Sequence, residues 1–430
     1  MQKNHPTHGH PVSGRRRGPP RIAGACLFAV AITGAAQDLR VLHWWQSASE
    51  RQATEVISSS VRHAGLGWVN EDATDGVGAA IILRSRILAH DMPDIAQANS
   101  ATAHNWATLG LVRNLDRVAA ADHWERRLLP AVYRQLRPGN HVLAAPLGVH
   151  RMNTLVYNLP VFTRLHLAPP RTWEEFEGIA PRLQRAGIVP LAQSSEPWQV
   201  AILFENLLLA DGGIALHRRL FVDNDLRAFT SPALAGVLRH LRSLKRWMRH
   251  PVPETAWSAI ASEVGSGTAA MAISGDWLKG ELQARGAQVG KNIGCTGAPG
   301  TDALYLFDLD TLVMLHAERL PPAAQESVAQ LAVSAGLQER YNRIKGSVSV
   351  LRDANPAAMD SCARASWMML NMSDARVIPS IAIGMAGDEV MRDGLANEVH
   401  RFFMDDSITV LDTQRRLAAV SRAFSQNPTP

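Results

Sequence analysis

Leu39-Arg40-Val41-Leu42-His43-Trp44 runs directly into Trp45-Gln46-Ser47-Ala48-Ser49-Glu50, and the two halves of this stretch follow different rules. The first half is a strand-like run rich in Leu and Val. In the second half Ser47, with Glu50 three residues later, has the form of a capping box, which predicts a helix that Gly65 closes. The same grammar continues outward. Residues 68–70 read as a second strand, Gly76 and Gly78 lead into an apolar-periodic helix over 79–89, and 93–97 read as a third strand. Strand alternating with helix predicts a parallel sheet covered by helices, an α/β fold. Further on, Thr172 caps a helix that ends at Gly187, and 188–192 form a strand. The second half carries more helix, expected at 198–210, 232–247, 256–266, 323–335, 388–403 and 408–423. There is no repeat at a period of 20 to 50 residues, which argues against a solenoid.

The chain has 430 residues, 46% of them hydrophobic and 19% charged, which suits a globular protein of about two domains. Its excess of positive charge is local. Lys3, Arg15, Arg16, Arg17 and Arg21 lie before any acidic residue, so five of the 44 basic side chains sit in the first 37 residues. The remainder balances the 39 acidic ones, and no polyanion partner, nucleic acid included, is expected. Arg15 to Arg21, the short apolar run 22–32 and Gly34-Ala35-Ala36 have the layout of a secretory signal cleaved after Ala36. That predicts an exported, periplasmic product that is soluble or at most peripheral. Removing Cys26 with the leader leaves Cys295 and Cys362, an even count in an oxidising compartment. A disulfide between them is expected, with two buried free thiols as the alternative.

The sequence holds no HExxH, GxSxG, Walker loop or strand-following GxGxxG. Asp223-Asn224-Asp225 lacks the pattern of a calcium loop and reads as a helix-capping turn. Glu174 and Glu175 are adjacent on a helix and cannot face each other as a glycosidase pair. Tryptophan stands out instead, with eleven Trp against ten Phe and four Tyr. Trp44-Trp45 lies beyond the carboxyl end of the first strand, where open α/β sheets bind ligands. Neighbours on a strand point opposite ways, so one of the pair is expected in the core. Trp198 beside Gln199, and Trp277 beside Asp276 and Lys279, again set an aromatic face next to hydrogen-bonding groups. That combination suits a pyranose, with its apolar C–H faces and rim of hydroxyls.

The chain resembles family 1 extracellular solute-binding proteins of ABC transporters, among them the periplasmic glucose- or mannose-type sugar-binding proteins. The carrying motifs are Leu42-His43-Trp44-Trp45, Ala145-Pro146-Leu147-Gly148-Val149-His150 with Tyr157-Asn158, and Pro170-Arg171-Thr172-Trp173-Glu174-Glu175. To these add Glu196-Pro197-Trp198-Gln199, Gly267-Thr268-Ala269-Ala270-Met271 before Gly275-Asp276-Trp277, Lys345-Gly346-Ser347-Val348, and Pro379-Ser380-Ile381-Ala382. They occur in order along nearly the whole mature chain.

The resemblance implies a two-lobe, hinged-clam α/β fold with discontinuous lobes. Residues 37–147 and 310–347 would form lobe I, and 149–309 and 348–430 lobe II, after a signal peptide over 1–36. It implies a monomer that delivers a mono- or small oligosaccharide to a permease in the inner membrane, with no chemical step, cofactor or metal. Trp44 and Trp45 would contact the sugar ring, with Trp277 near the cleft. Glu50, Asn153, Gln199, Asp276, Asp310 and Lys345 would bond its hydroxyls. His150, Trp173 and Trp198 have packing as their alternative role. Asn99 and Ile383 stand where glucose-binding relatives commonly carry Lys and His, which implies weaker glucose binding and a preference for a ligand with a methyl or deoxy position beside Ile383. A sensor or adaptor of the same fold would differ in gene neighbourhood. A secreted glycosidase would turn over a glycoside.

Overall fold

Ser47 does what the capping-box pattern requires. In a computed structural model that describes residues 38–317, 319–372, 376–385 and 389–425, Glu50 N donates to Ser47 Oγ (3.3 Å) and Ser47 N donates to Glu50 Oε2 (3.1 Å). The helix Ala48–His63 starts there. It joins β1 (Asp38–His43) to β2 (Gly67–Asp72), and the helix Gly76–Leu88 joins β2 to β3 (Ile95–Ala98). That second helix begins three residues before the expected Ala79, because the Asp75 side chain accepts from Gly78 N at 2.6 Å and caps it earlier. The expected leader lies outside the described residues.

β1 pairs in parallel with β2 and β3, as the alternation predicts. The sheet is nevertheless mixed. β4 (Ala145–Arg151) and β9 (Tyr305–Met314) join it as an antiparallel pair, with β9 lying against β3, and β10 (Val377–Pro379) runs parallel to β9. The chain leaves the first sheet along β4 and returns along β9, and an outgoing and a returning strand laid side by side must be antiparallel. The register slips between Pro146 and Gly148, where proline has no N–H to give the ladder.

A second sheet has the order β6-β7-β5-β8, from β5 (Thr154–Asn158), β6 (Val189–Ala192), β7 (Ala269–Ser274) and β8 (Ile293–Gly297). Each sheet has its own core. Leu39, Val41, Trp124, Leu312, Val313 and Tyr341 belong to the first, and Leu155, Phe176, Leu203, Phe229, Met271 and Phe402 to the second. A third cluster around Met152, Val156, Trp277 and Leu278 packs on the other face of the second sheet. Val348, Val350, Leu351, Trp367 and Leu370 lie in the first core, whereas the C-terminal helices Glu389–Met404 and Val410–Ser425 supply Phe402 and Leu417 to the second. The run 197–221 is long and apolar enough to cross a membrane, but Val200, Leu203, Leu207 and Leu208 within it build the second core.

Cys295 in β8 is bonded to Cys362 on the helix Ser361–Met372, 67 positions along the chain. That helix packs Ala363, Trp367 and Leu370 into the first core, so the bond ties the second sheet to the first body. Asp225 caps the turn Leu226–Phe229 by accepting from Arg227 N at 2.9 Å, the role read from Asp223-Asn224-Asp225.

Candidate functional site

The strand periodicity of β4 and β9 places the polar residues of the site. His150 stands opposite Asp308 in the ladder and Gly148 opposite Asp310, so His150, Asp308 and Asp310 share one face. From the first body the helix Ala335–Lys345 brings Tyr341 and Lys345, and Glu50 comes from the first turn of Ala48–His63. From the second body Asp276 precedes the helix Trp277–Ala284. Gly280 in that helix is the reason the bodies meet closely, since a Cβ there would stand 2.3 Å from the Lys345 carbonyl oxygen. The Glu281 carboxylate accepts from Ser49 N at 3.0 Å across the same gap.

These side chains form one buried row of charge. Lys345 Nζ donates to Glu50 Oε1 (2.9 Å) and lies 3.8 Å from Asp310 Oδ2. His150 donates through Nε2 to Asp310 Oδ2 (3.2 Å) and through Nδ1 to Asp276 Oδ1 (2.5 Å). Tyr341 Oη donates to Asp310 Oδ2 at 2.9 Å. Burial works against the His150 charge, but the Asp276 and Asp310 carboxylates outweigh it and push its pKa up to about 9. Burial likewise opposes charge on Lys345, and Glu50 and Asp310 more than restore it, leaving its pKa raised. For Asp310 burial is again the opposing effect, and Lys345, His150 and the Tyr341 hydroxyl hold the carboxyl well below the usual range.

Asp308 behaves in the opposite way. Burial, with Asp310 two residues on, pushes its pKa up to about 7 against the pull of His150 and Lys345. Its side chain keeps some access to solvent, and among its hydrogen bonds is one from Leu309 N (2.8 Å) to Oδ1. Near neutral pH such a carboxyl can both donate and accept.

Indole rings flank the row. Trp277 lies edge-on to His150, with ring centres 5.2 Å apart, and Trp198 and Trp257 pack against Trp277 at 6.2 and 6.5 Å. On the other side Trp45 is 2% exposed, stacked on His43 at 5.3 Å and edge-on to Tyr341 at 6.3 Å. Trp44 is half-buried, with its ring edge towards Gly76. His43 Nδ1 accepts from Trp45 N at 3.3 Å and Gln97 Oε1 accepts from Trp44 N at 3.1 Å, which fixes the turn that separates the two rings.

The expected residues divide by position. Glu50, Lys345, Asp310 and Asp276 are brought together, with Trp277 beside them and Trp45 behind Tyr341. Asn99 and Ile383 meet each other, Asn99 Nδ2 donating to Ile383 O at 3.0 Å while Asn99 Oδ1 caps the next helix by accepting from Thr102 N at 2.9 Å. Asn153 is fully buried, its amide donating to Thr301 O and Leu304 O and accepting from Leu306 N. Gln199 donates to Glu196 Oε2 at 2.6 Å. Asp308, Tyr341 and Trp257 were not anticipated. The spacing of Asp308 and Asp310 across Leu309, two carboxyls on one face of a strand, is the signal that could have found the first. Among the described residues no group of three or more His, Cys, Asp or Glu is placed to hold a metal ion.

A row of buried donors and acceptors beside indole faces can bind a neutral polyol.

Residues 76–357 match the model of a family described as bacterial extracellular solute-binding protein. A probable sugar-binding periplasmic protein of Brucella suis biovar 1 (strain 1330) is 27% identical over 392 residues, 90% of this chain and 92% of that one. Another probable sugar-binding periplasmic protein, from Rhizobium meliloti (strain 1021), is 27% identical and covers 93% of this chain and 97% of its own. Among solved structures, the bacterial solute receptor AcbH, described by its preference for b-D-galactopyranose, superposes with a TM-score of 0.77 at 16% identity, covering 91% of this chain and all of the other. That likeness shows the fold, the two-lobe architecture of periplasmic binding proteins. With its sheets, cores and crossover strands arranged this way, and with the family model matching most of its length, the chain belongs to the bacterial extracellular solute-binding proteins.

Proposed function

We propose that the protein captures a mono- or small oligosaccharide between its two lobes in the periplasm and presents it, as a monomer, to an ABC permease in the inner membrane. The observation that carries this reading is the buried row Glu50–Lys345–Asp310–His150–Asp276, drawn from both bodies and edged by Trp277 and the Trp44-Trp45 turn. Hydroxyls of a sugar are bonded most strongly by charged groups, and its C–H faces pack on indoles. The sugar-binding names of the Brucella and Rhizobium relatives support the ligand class and the compartment.

In this reading Trp44 and Trp277 face the sugar, with Trp45 behind as the layer that holds Trp44. Glu50, Asp276, Asp310 and Lys345 bond hydroxyls, Asn99 and Ile383 shape one edge, and Gln199 and Asn153 hold the second lobe's side of the cleft. The lobes are 37–147 with 310–347 and 149–309 with 348–430, except that the side chains of 348–370 in the first core argue for assigning that stretch to lobe I. Sugar contacts to both lobes favour the closed form, a population shift with no chemical step.

One observation favours hydrolysis instead. Asp308 and Asp310 are two nearby carboxyls pushed apart in pKa, as a glycosidase needs. Asp310, however, is already engaged by His150 and Tyr341, with Lys345 close by, which leaves it poorly placed as a base or nucleophile. The test is a thermal-shift screen of the mature chain against D-glucose, D-galactose, D-mannose, D-xylose, L-arabinose and L-fucose. A ligand at a hundred times its Kd adds about 2.7 kcal/mol of stability. At least one sugar should raise the melting temperature of wild type and not of Lys345→Met, and nitrophenyl glycosides should not be cleaved.

A further inference from the structure

Glu205 lies outside the cleft, on the helix Pro197–Leu207, and is 2% exposed. Its carboxylate accepts four hydrogen bonds. Oε1 takes one from Ile381 N (2.8 Å) and one from His217 Nε2 (2.8 Å), and Oε2 takes one from Ser380 Oγ (2.6 Å) and one from Ala382 N (3.2 Å). That fills the roughly four acceptor positions a carboxylate has. Three of the four donors belong to one short stretch of backbone with no regular structure.

That stretch is a strap between the bodies. It leaves β10 in the first sheet, and after Glu205 has gripped 380–382 from the second body, its far end returns to the first. Asn99 Nδ2 donates to Ile383 O (3.0 Å), Ala101 N to Gly384 O (3.4 Å) and Gln135 Nε2 to Met385 O (2.5 Å). The contact at Gly384 is tight enough to require glycine, since its φ is +79° and a Cβ would stand 2.4 Å from Asn99 Nδ2. Ile383 packs partly against the first core and partly against the cluster that holds Trp277.

We propose that Glu205 is a positioning residue for ligand capture, a carboxylate clasp that fixes 380–382 to the second body and so sets where Ile383 and Asn99 meet the sugar. The proposal rests on the reading of the cleft as a sugar site. Ser380 N donates back to Phe307 O of β9 at 2.9 Å, and the N–H groups of Gly384 and Met385 close turns on Ile381 O and Ser380 O, while those of Ile381 and Ala382 are taken up by the buried Glu205 carboxylate. A preorganised edge binds more tightly because the ordering is done before the ligand arrives.

The experiment titrates the six sugars named above into the mature wild type, Glu205→Gln, Ser380→Ala, Ile383→Ala and the Glu205→Gln/Ile383→Ala double variant by calorimetry, well below their melting temperatures. Hydrogen exchange of 380–385 is followed in parallel. Glu205→Gln sets an NH₂ against donors, and it should weaken every sugar that wild type binds at least tenfold while 380–385 lose protection. Ser380→Ala, which removes one bond of the four, should weaken binding a few-fold. The double variant should bind no worse than Glu205→Gln alone, because both changes act through the same edge. A purely structural role would lower the melting temperature and leave Kd unchanged, and that result overturns the proposal. Should Glu205→Gln fail to fold, unchanged Kd and exchange in Ser380→Ala overturn it equally. Trp44→Ala separates the two ideas: binding lost there but kept in Glu205→Gln refutes the clasp alone, and a wild type that binds none of the six and none of their disaccharides refutes the sugar reading and the clasp with it.

Discussion

His150 sits between two carboxylates from different parts of the chain, and its charge is what lets Asp276 and Asp310 stay buried side by side. A histidine whose folded pKa is raised from 6.5 to about 9 contributes stability that is fully present below pH 6.5 and is lost as pH rises through 9. Asp308, raised from 3.8 to about 7, has the same sign at lower pH, its contribution present below 3.8 and lost on passing through 7. Urea unfolding at pH 6, 7.5 and 9 should therefore show falling stability, and His150→Gln should flatten the limb between 6.5 and 9. An equally steep limb in that variant would contradict the assignment. The tryptophan pair separates the same way. Trp45 is packed between His43 and Tyr341, so Trp45→Ala should cost about 3 to 5 kcal/mol of stability, whereas Trp44→Ala should leave folding nearly intact and weaken sugar binding by about 1 to 3 kcal/mol. Comparable destabilisation by both would reject the division. Strand alternation predicts that one of two adjacent residues is buried, but β1 ends at His43 and it is the turn after it that parts the two rings; which ring is buried depends on Tyr341, nearly 300 residues away in sequence, and is not written locally.

Elements with their own start and stop signals were legible. Ser47 with Glu50, Thr172 and the glycine at 187 mark helix ends that the structure keeps, and Ser47→Ala should cost about 1 kcal/mol in denaturant unfolding, with no loss there arguing that Glu50 alone holds the turn. The helix Ala335–Lys345 has Ser334 before it and a left-handed Gly346 after it, but Ser334 makes no side-chain capping bond and the face between these ends does not read as apolar. Its buried face is Leu337, Gln338, Tyr341, Asn342 and Lys345, helical in spacing but mostly polar, so hydrophobic periodicity misses the element that delivers Lys345 to the cleft. Strand direction is likewise non-local, and β9 enters an otherwise parallel neighbourhood antiparallel only because the chain returns from the second body. The bond between Cys295 and Cys362 was expected from compartment and count. With the cysteines 67 positions apart, the Cys295→Ser/Cys362→Ser variant should lose about 4 kcal/mol on the chain-entropy account, measured by thermal or urea unfolding. Unfolding indistinguishable from wild type would mean that the tether between β8 and the helix Ser361–Met372 adds nothing to packing already made.

At the scale of the molecule, β4, β9 and the 380–385 strap pass between two bodies with separate cores, and the charged row lies where they meet. Chain length suggests about two domains and the resemblance implies two lobes, whereas the alternation of strand and helix speaks only to their α/β character. The depth of the site was less legible, because Glu50, Lys345, Asp310, His150 and Asp276 are scattered over more than half of the chain and are joined only by the fold. A ligand closes such a molecule only to the extent that it binds the closed form better than the open one. In the proposed site Asn99 and Ile383 are the positions that would bear on which ligand that is. Asn99 already caps a helix and holds the Ile383 carbonyl, and Ile383 has no polar atom in its side chain, so Asn99→Lys/Ile383→His should gain glucose affinity by on the order of 10² if these two positions set the preference. No gain in calorimetry would show that they do not. The most direct measurement of the central claim is isothermal titration of the mature wild-type chain with the six monosaccharides at pH 7. The account predicts one-to-one binding of at least one sugar with a Kd in the micromolar range or below, abolished or weakened at least tenfold in Lys345→Met. Absence of binding heat at several temperatures for all six, with a folded protein and no response to their disaccharides, would contradict it.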